Sequence, residues 1–194
     1  MVRLIVGTHQ ETRLTRRSPL RRSAAGLALL FLGFVAVRPA AAQIIFGSPN
    51  DPPRVAIGGG AFNVIVDTKK QNSSTTGMML SEYRFGDLFW IVAPFLGVQG
   101  TGQGAFYGYF GVGFDIHLPY NLIVTPSGAF GYFEPGRGID LGSIWEFRSG
   151  VELAYRFADQ RRFGIGFYHM SNAGIGKKNP GQEMVTAVFT VPFK

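Results

Sequence analysis

The sequence predicts an all-β protein, an eight-stranded antiparallel transmembrane β-barrel of the bacterial outer membrane. Three observations lead there. An export signal opens the chain, the rest alternates polar and apolar residues with the two-residue period of strands, and the apolar face is rich in aromatics.

The signal comes first. Met1 to Arg22 is basic, Ser23 to Val37 is an apolar run, and Arg38-Pro39-Ala40-Ala41-Ala42 closes the segment with small residues. A basic region, a short apolar stretch and an Ala-x-Ala site make a secretory signal peptide, with cleavage after Ala42. The apolar run falls short of the roughly 20 residues that a transmembrane helix needs. Seven of the 19 Lys and Arg and one of the 12 Asp and Glu lie in residues 1–42, so residues 43–194 carry 12 basic and 11 acidic side chains. The high pI therefore belongs to the targeting segment, and the barrel segment has no electrostatic footprint for nucleic acid. No cysteine occurs. An exported chain without disulfides must rely on backbone pairing and packing, which a closed barrel supplies.

Residues 43–194 form one barrel domain in this reading. Turn signals recur about every dozen residues and mark strands at 55–67, 75–86, 88–99, 104–117, 120–132, 143–157, 162–173 and 182–193. Strands of this length suit tilted membrane spans, which need about 9–11 residues. The alternation is clearest in 143–157. Trp145, Phe147, Val151, Leu153, Tyr155 and Phe157 share one face, and Glu146, Arg148, Glu152, Ala154 and Arg156 the other. In 104–117, Phe106, Phe110, Val112, Phe114 and Ile116 oppose Tyr107, Tyr109, Gly111, Gly113 and Asp115. The last strand aligns Val185, Ala187, Phe189, Val191 and Phe193. A barrel in lipid turns the greasy face outward and the charges inward. Glu146, Arg148, Glu152 and Arg156 then form an interior ladder that satisfies itself. Phe193 matches the C-terminal aromatic of outer-membrane barrels, although Lys194 follows it.

Strand parity places the reactive residues. In 162–173 the apolar positions Phe163, Ile165 and Phe167 continue into His169 and Ser171, two residues apart and so on one side. Glu183 lies two before Val185, on the apolar face of the next strand. All three point outward. With both termini in the periplasm, the seventh strand runs to the cell surface and the eighth returns, which puts the trio at the outer rim. A serine hydroxyl becomes nucleophilic when an imidazole takes its proton, and a carboxylate orients that imidazole. The low dielectric of a lipid interface strengthens both interactions.

The segment His169-x-Ser171-Asn172-Ala173-Gly174, with Asn179 and Glu183 ten and fourteen residues after the histidine, resembles the outer-membrane lipid A 3-O-deacylases (PagL family). The resemblance covers roughly residues 163–194. It implies hydrolysis of the ester-linked 3-hydroxyacyl chain at the 3-position of lipid A within lipopolysaccharide. Ser171 would be the nucleophile, His169 the general base and then acid, and Glu183 the orienting carboxylate. The Asn179 side chain and a backbone N–H around Gly174 would hold the oxyanion, with Asn172 shaping the turn or the hole. The resemblance implies no organic cofactor and no metal. Its partners are lipopolysaccharide and outer-membrane lipid, and a homodimer stays open. The competing readings are an inactive small barrel serving as anchor or adhesin, and a soluble periplasmic lipid-binding barrel.

Other features read as structural. Asp115 and His117 face the interior near the periplasmic end. Gly58-Gly59-Gly60 lacks the lysine and the strand–helix context of a phosphate loop. Lys177 and Lys178 sit in the loop of the trio, where they either meet lipid A phosphates or stay a solvated pair.

Overall fold

Ten strands, eight of them long, account for most of the described residues between 43 and 193. The computed structural model describes residues 43–47, 51–66, 74–86 and 91–193; the expected export signal lies outside the described residues. In chain order the strands are β1 (Ile45–Phe46), β2 (Arg54–Phe62), β3 (Thr76–Arg84), β4 (Val92–Thr101), β5 (Phe106–Phe114), β6 (Ile116–Leu118), β7 (Leu122–Glu134), β8 (Trp145–Arg156), β9 (Arg162–Ser171) and β10 (Gln182–Pro192). The eight long strands pair antiparallel with their chain neighbours, β5 passing to β7. β10 then pairs with β2 along its whole length, Val185 opposite Ala61, and this closes the barrel. Closure leaves every long strand paired on both sides, as a lipid-exposed sheet requires.

The expected strands are all present, with shifted ends. The first stops at Phe62 because Asn63 turns left-handed, φ 57°, and its N–H is taken by the Gln182 side chain at 3.1 Å. The strand expected over 104–117 is split at Asp115, whose side chain is drawn into the interior, leaving β6 as a short continuation along β7. β1 adds itself to β6, a pairing that two residues without a period cannot announce. The turn at Pro119–Asn121 places Tyr120 and Asn121 at φ 63° and 62°.

The faces sort as their chemistry demands. Phe110, Ile165, Ile57, Leu153 and Val191 are exposed on the wall, while Glu146, Arg148 and Glu152 are buried within. An aromatic cluster of Phe130, Trp145 and Phe147 stacks across β7 and β8 on the outside. The interior has two zones. Toward the end that carries loops 135–144 and 172–181, Phe62, Met78, Tyr107, Phe133, Leu141, Met170 and Met184 form an apolar plug. Below it, Glu82 pairs with Arg148 at 2.8 Å, Arg84 with Glu152 at 2.7 Å, and Arg54 and Arg162 with Asp115. The Arg148 guanidinium also lies over the rings of Tyr109 and Tyr168, 4.2 and 4.7 Å from their centroids.

This corrects the expected ladder on β8. Its charges do not satisfy one another; Arg148, Glu152 and Arg156 find partners on other segments, Glu82, Arg84 and Asp51. The pairs run across the interior between β3 and β8, Glu82 to Arg148 and Arg84 to Glu152, and not along β8. Glu146 is fully buried, its backbone carbonyl accepting from the Tyr107 hydroxyl, and neither of its carboxylate oxygens makes a hydrogen bond among the described residues.

Candidate active site

Strand register decides whether the three reactive side chains meet. β9 and β10 pair with Glu183 directly opposite His169. Both point outward, and His169 Nδ1 lies 3.1 Å from Glu183 Oε1. A carboxylate at Nδ1 favours the tautomer with the proton on that nitrogen and leaves Nε2 as the acceptor. Ser171 follows two residues later on the same face, half-buried. Its hydroxyl makes no hydrogen bond among the described residues, to the imidazole or to any other group. On the other side of β9, Ser149 lies opposite His169 and Phe147 opposite Ser171. Phe167 and Val185, one outward step down the wall, continue the site into the greasy surface. Histidine and glutamate are therefore half-open at the top of an apolar wall, with side-chain exposures of 45% and 23%.

The connection 172–181 is built around Asn172, which is fully buried. Its Nδ2 donates to Leu141 O at 2.7 Å and Lys178 O at 2.8 Å. Its Oδ1 accepts from the N–H groups of Gly174 at 2.9 Å and Gly176 at 3.4 Å. Ala173 and Gly174 take left-handed conformations, φ 54° and 82°, as this Asx-type turn requires. One short polar side chain thus ties the site loop to itself and to the neighbouring loop 135–144. Lys178 adds an exposed ion pair to Asp140, 2.9 Å. That hydrogen bond, with a second from the Gly142 N–H, holds the Asp140 carboxyl below its ordinary value.

This arrangement narrows two of the expected roles. The Gly174 N–H is committed to Asn172 Oδ1 and is not a free oxyanion donor. Asn172 belongs to the turn. Asn179 is exposed, and its Oδ1 accepts from the Asn172 N–H at 3.1 Å. That contact leaves its Nδ2 group to donate outward. Of the two lysines, Lys178 is engaged with Asp140, and Lys177 is exposed. Sequence reading missed Ser149 and Gly181, both beside His169. The glycine after Pro180, at a loop-to-strand junction, was the available signal for the second.

Because Asn172 holds four contacts, Asn172→Ala is expected to loosen the loops without opening the barrel. Each lost hydrogen bond costs about 1 kcal/mol, so local opening of 172–181 becomes easier by about 2–4 kcal/mol. Limited proteolysis of folded protein checks this: cleavage within 172–181 should appear while the barrel fragment persists.

Elsewhere, Asp51, Asp115 and His117 bring three ligand-type side chains together at the opposite end. Both carboxylates are held by Arg54 and Arg162, whose charges oppose a cation. His117 Nε2 is 3.8 Å from Asp51, and Asp115 bonds Thr125 and the arginines, not the imidazole. The pair read from sequence as structural sits in an ion network.

Comparison with known proteins gives a consistent set of likenesses. A family model described as lipid A 3-O-deacylase (PagL) matches residues 61–192. The lipid A deacylase PagL of Bordetella bronchiseptica is 34% identical over 53 residues, 27% of this chain and 30% of that protein. The aligned segment thus spans under a third of that relative. The crystal structure of the outer membrane enzyme PagL superimposes with a TM-score of 0.58 at 19% identity, covering 72% of this chain and 99% of the other.

Proposed function

The chain belongs to the lipid A 3-O-deacylase (PagL) family, and from that premise we propose that it is a serine esterase of the outer membrane. Its substrate is lipid A in lipopolysaccharide, and it removes the ester-linked 3-hydroxyacyl chain at the 3-position. Residues 1–42 serve as the export signal and 43–194 as the barrel. The observation that carries the reading is the direct opposition of His169 and Glu183, with 3.1 Å between Nδ1 and Oε1, on a face that looks into lipid beside Ser171.

The chemistry follows from these atoms. Ser171 Oγ attacks the acyl carbonyl as His169 Nε2 takes its proton. The Glu183 carboxylate balances the imidazolium that forms. The Asn179 amide donates to the oxyanion. When the tetrahedral intermediate collapses, the imidazolium gives its proton to the departing sugar oxygen, and lipid A leaves with a free 3-hydroxyl. Water then attacks the acyl-serine with His169 again as base, releasing a 3-hydroxy fatty acid and restoring the enzyme. A rim position suits this sequence, since the ester lies at the lipid–water boundary, where acyl chain and attacking water are both at hand. The test is mass spectrometry of lipid A from cells expressing wild type or Ser171→Ala: the 3-hydroxyacyl chain should be lost only with wild type.

Lys177 supplies a second, smaller prediction. It carries charge toward the head groups, while the charge of Lys178 is shared with Asp140. An exposed ion pair is worth about 0.2–1 kcal/mol, so Lys177→Gln should weaken apparent substrate affinity by about 1.5- to 5-fold. The loss should shrink as Mg²⁺ covers the lipid phosphates. Equal affinities for variant and wild type at low Mg²⁺ would remove lysine 177 from substrate binding.

A further inference from the structure

Gly181 precedes β10 with φ at 64°, buried against the edge of the site. A Cβ placed on it would lie 2.9 Å from His169 Cε1 and 3.5 Å from His169 Nε2. The nearest atoms to that position therefore belong to the imidazole. Backbone atoms normally provide firmer walls than side chains, and the loop that brings this backbone in is itself anchored by Asn172 at its other end. On its Nδ1 side the ring meets the Glu183 carboxylate. We propose that Gly181 is a positioning residue: its bare backbone forms the wall against which the His169 imidazole rests, holding Nδ1 on Glu183 and Nε2 toward Ser171. The proposal builds on the reading of His169 as the general base.

The physical consequence is specific. Gly181→Ala puts a methyl 2.9 Å from His169 Cε1, closer than van der Waals contact allows, and the ring is the movable partner. Hydrogen bonds weaken steeply with displacement and misalignment, so either the Nδ1–Glu183 contact or the approach of Nε2 to Ser171 is lost. Displacing a reacting group by about 1 Å can cost on the order of 10²-fold in rate. The same substitution also strains a left-handed residue, and a control isolates that effect. Gly104 has φ 82°, is exposed in another loop at the same barrel end, and has nothing within 4 Å of its added Cβ.

The experiment compares wild type, Gly181→Ala, Gly181→Asn, Gly104→Ala, Ser171→Ala and Glu183→Ala, each as the full barrel in lipopolysaccharide-containing membranes. Release of 3-hydroxy fatty acid is followed across substrate concentrations. Rates are taken per folded barrel, counted by heat-dependent migration in gels, so that incomplete folding does not enter them; asparagine tolerates the left-handed backbone while keeping the Cβ. Expected are a fall in kcat of about 10²-fold for both Gly181 variants at nearly constant KM, and a change under 2-fold for Gly104→Ala. In a Glu183→Ala background, Gly181→Ala should cost far less than it does alone, because the two act on one imidazole. A kcat within 3-fold of wild type for both Gly181 variants overturns the positioning role, as does full additivity with Glu183→Ala. Activity retained by Ser171→Ala would instead overturn the serine mechanism, whatever the Gly181 variants do.

Discussion

Ser171→Ala is expected to leave a folded, membrane-inserted barrel that releases no 3-hydroxy fatty acid. The hydroxyl contributes nothing to the fold that its removal would disturb. It is half-buried on the outer wall and makes no hydrogen bond among the described residues, so the change costs stability within about 0.5 kcal/mol. Activity should fall by at least about 10⁴-fold, since nucleophile and base act as a unit. His169→Ala should match it. Glu183→Ala should retain more, because the orienting member of such a triad can cost less than the other two. In this barrel the nucleophile and the base keep their shared face of β9 when the carboxylate is removed, since strand parity and not Glu183 places them there. Glu183→Gln, whose amide can still hydrogen-bond the ring, should retain more activity than Glu183→Ala. Equal turnover by Ser171→Ala and wild type would exclude the serine mechanism outright.

Much of this was legible in the chain, and the reasons separate what was from what was not. The alternation of Trp145, Phe147 and Val151 with Glu146, Arg148 and Glu152 states which face is which, because lipid outside and side-chain packing inside invert the soluble pattern. That period counts strands reliably but says little about their ends. β2 ends where Asn63 adopts a left-handed turn, and β5 breaks where Asp115 is pulled toward two arginines. Gln182 at Asn63 and Arg54 and Arg162 at Asp115 are partners more than 45 residues away. His169 and Ser171 share a face by parity alone. The contact of His169 with Glu183 depends on register, set by the conformation of the loop between β9 and β10. The oxyanion donor expected around Gly174 is narrowed by a local feature that the sequence does contain: an asparagine two residues ahead captures the Gly174 N–H itself in an Asx turn. The partners of Asn172 in loop 135–144, and of Arg148 and Glu152 around the barrel, are long-range pairings that no single-strand pattern encodes.

Arg162→Met carries the largest expected loss of stability. Arg162 opens β9 at the end opposite the site and is 2% exposed. Its guanidinium bonds Asp115 at 2.6 Å through Nη1 and Asp51 through Nη2. Arg54 shares both carboxylates, at 3.1 Å to Asp51 and 2.7 Å to Asp115, while Arg156 reaches Asp51 only at 3.4 Å and from a partly exposed position. Removing Arg162 leaves two buried carboxylates on one principal cation. Breaking a buried network in this way costs about 3–5 kcal/mol, whereas Arg156→Met, nearer water, should cost under about 1 kcal/mol. The origin of the loss is charge left behind, not packing, so Asp115→Asn added to Arg162→Met should recover part of it. Acid provides an independent check. Burial alone would raise the Asp51 pKa, but Arg162 and Arg54 outweigh it and hold it low. A lowered folded-state pKa stabilises above the unfolded value, about 3.9, and that stabilisation disappears as pH falls through the folded value. Wild type should thus lose stability as pH falls below about 4, and Arg162→Met should lose less over the same range. Urea midpoints of the barrel in detergent micelles at pH 7 and pH 3 measure both effects. A midpoint for Arg162→Met equal to that of Arg156→Met at pH 7 would mean that the lower interior is held by packing and closure, with its ion network contributing nothing net.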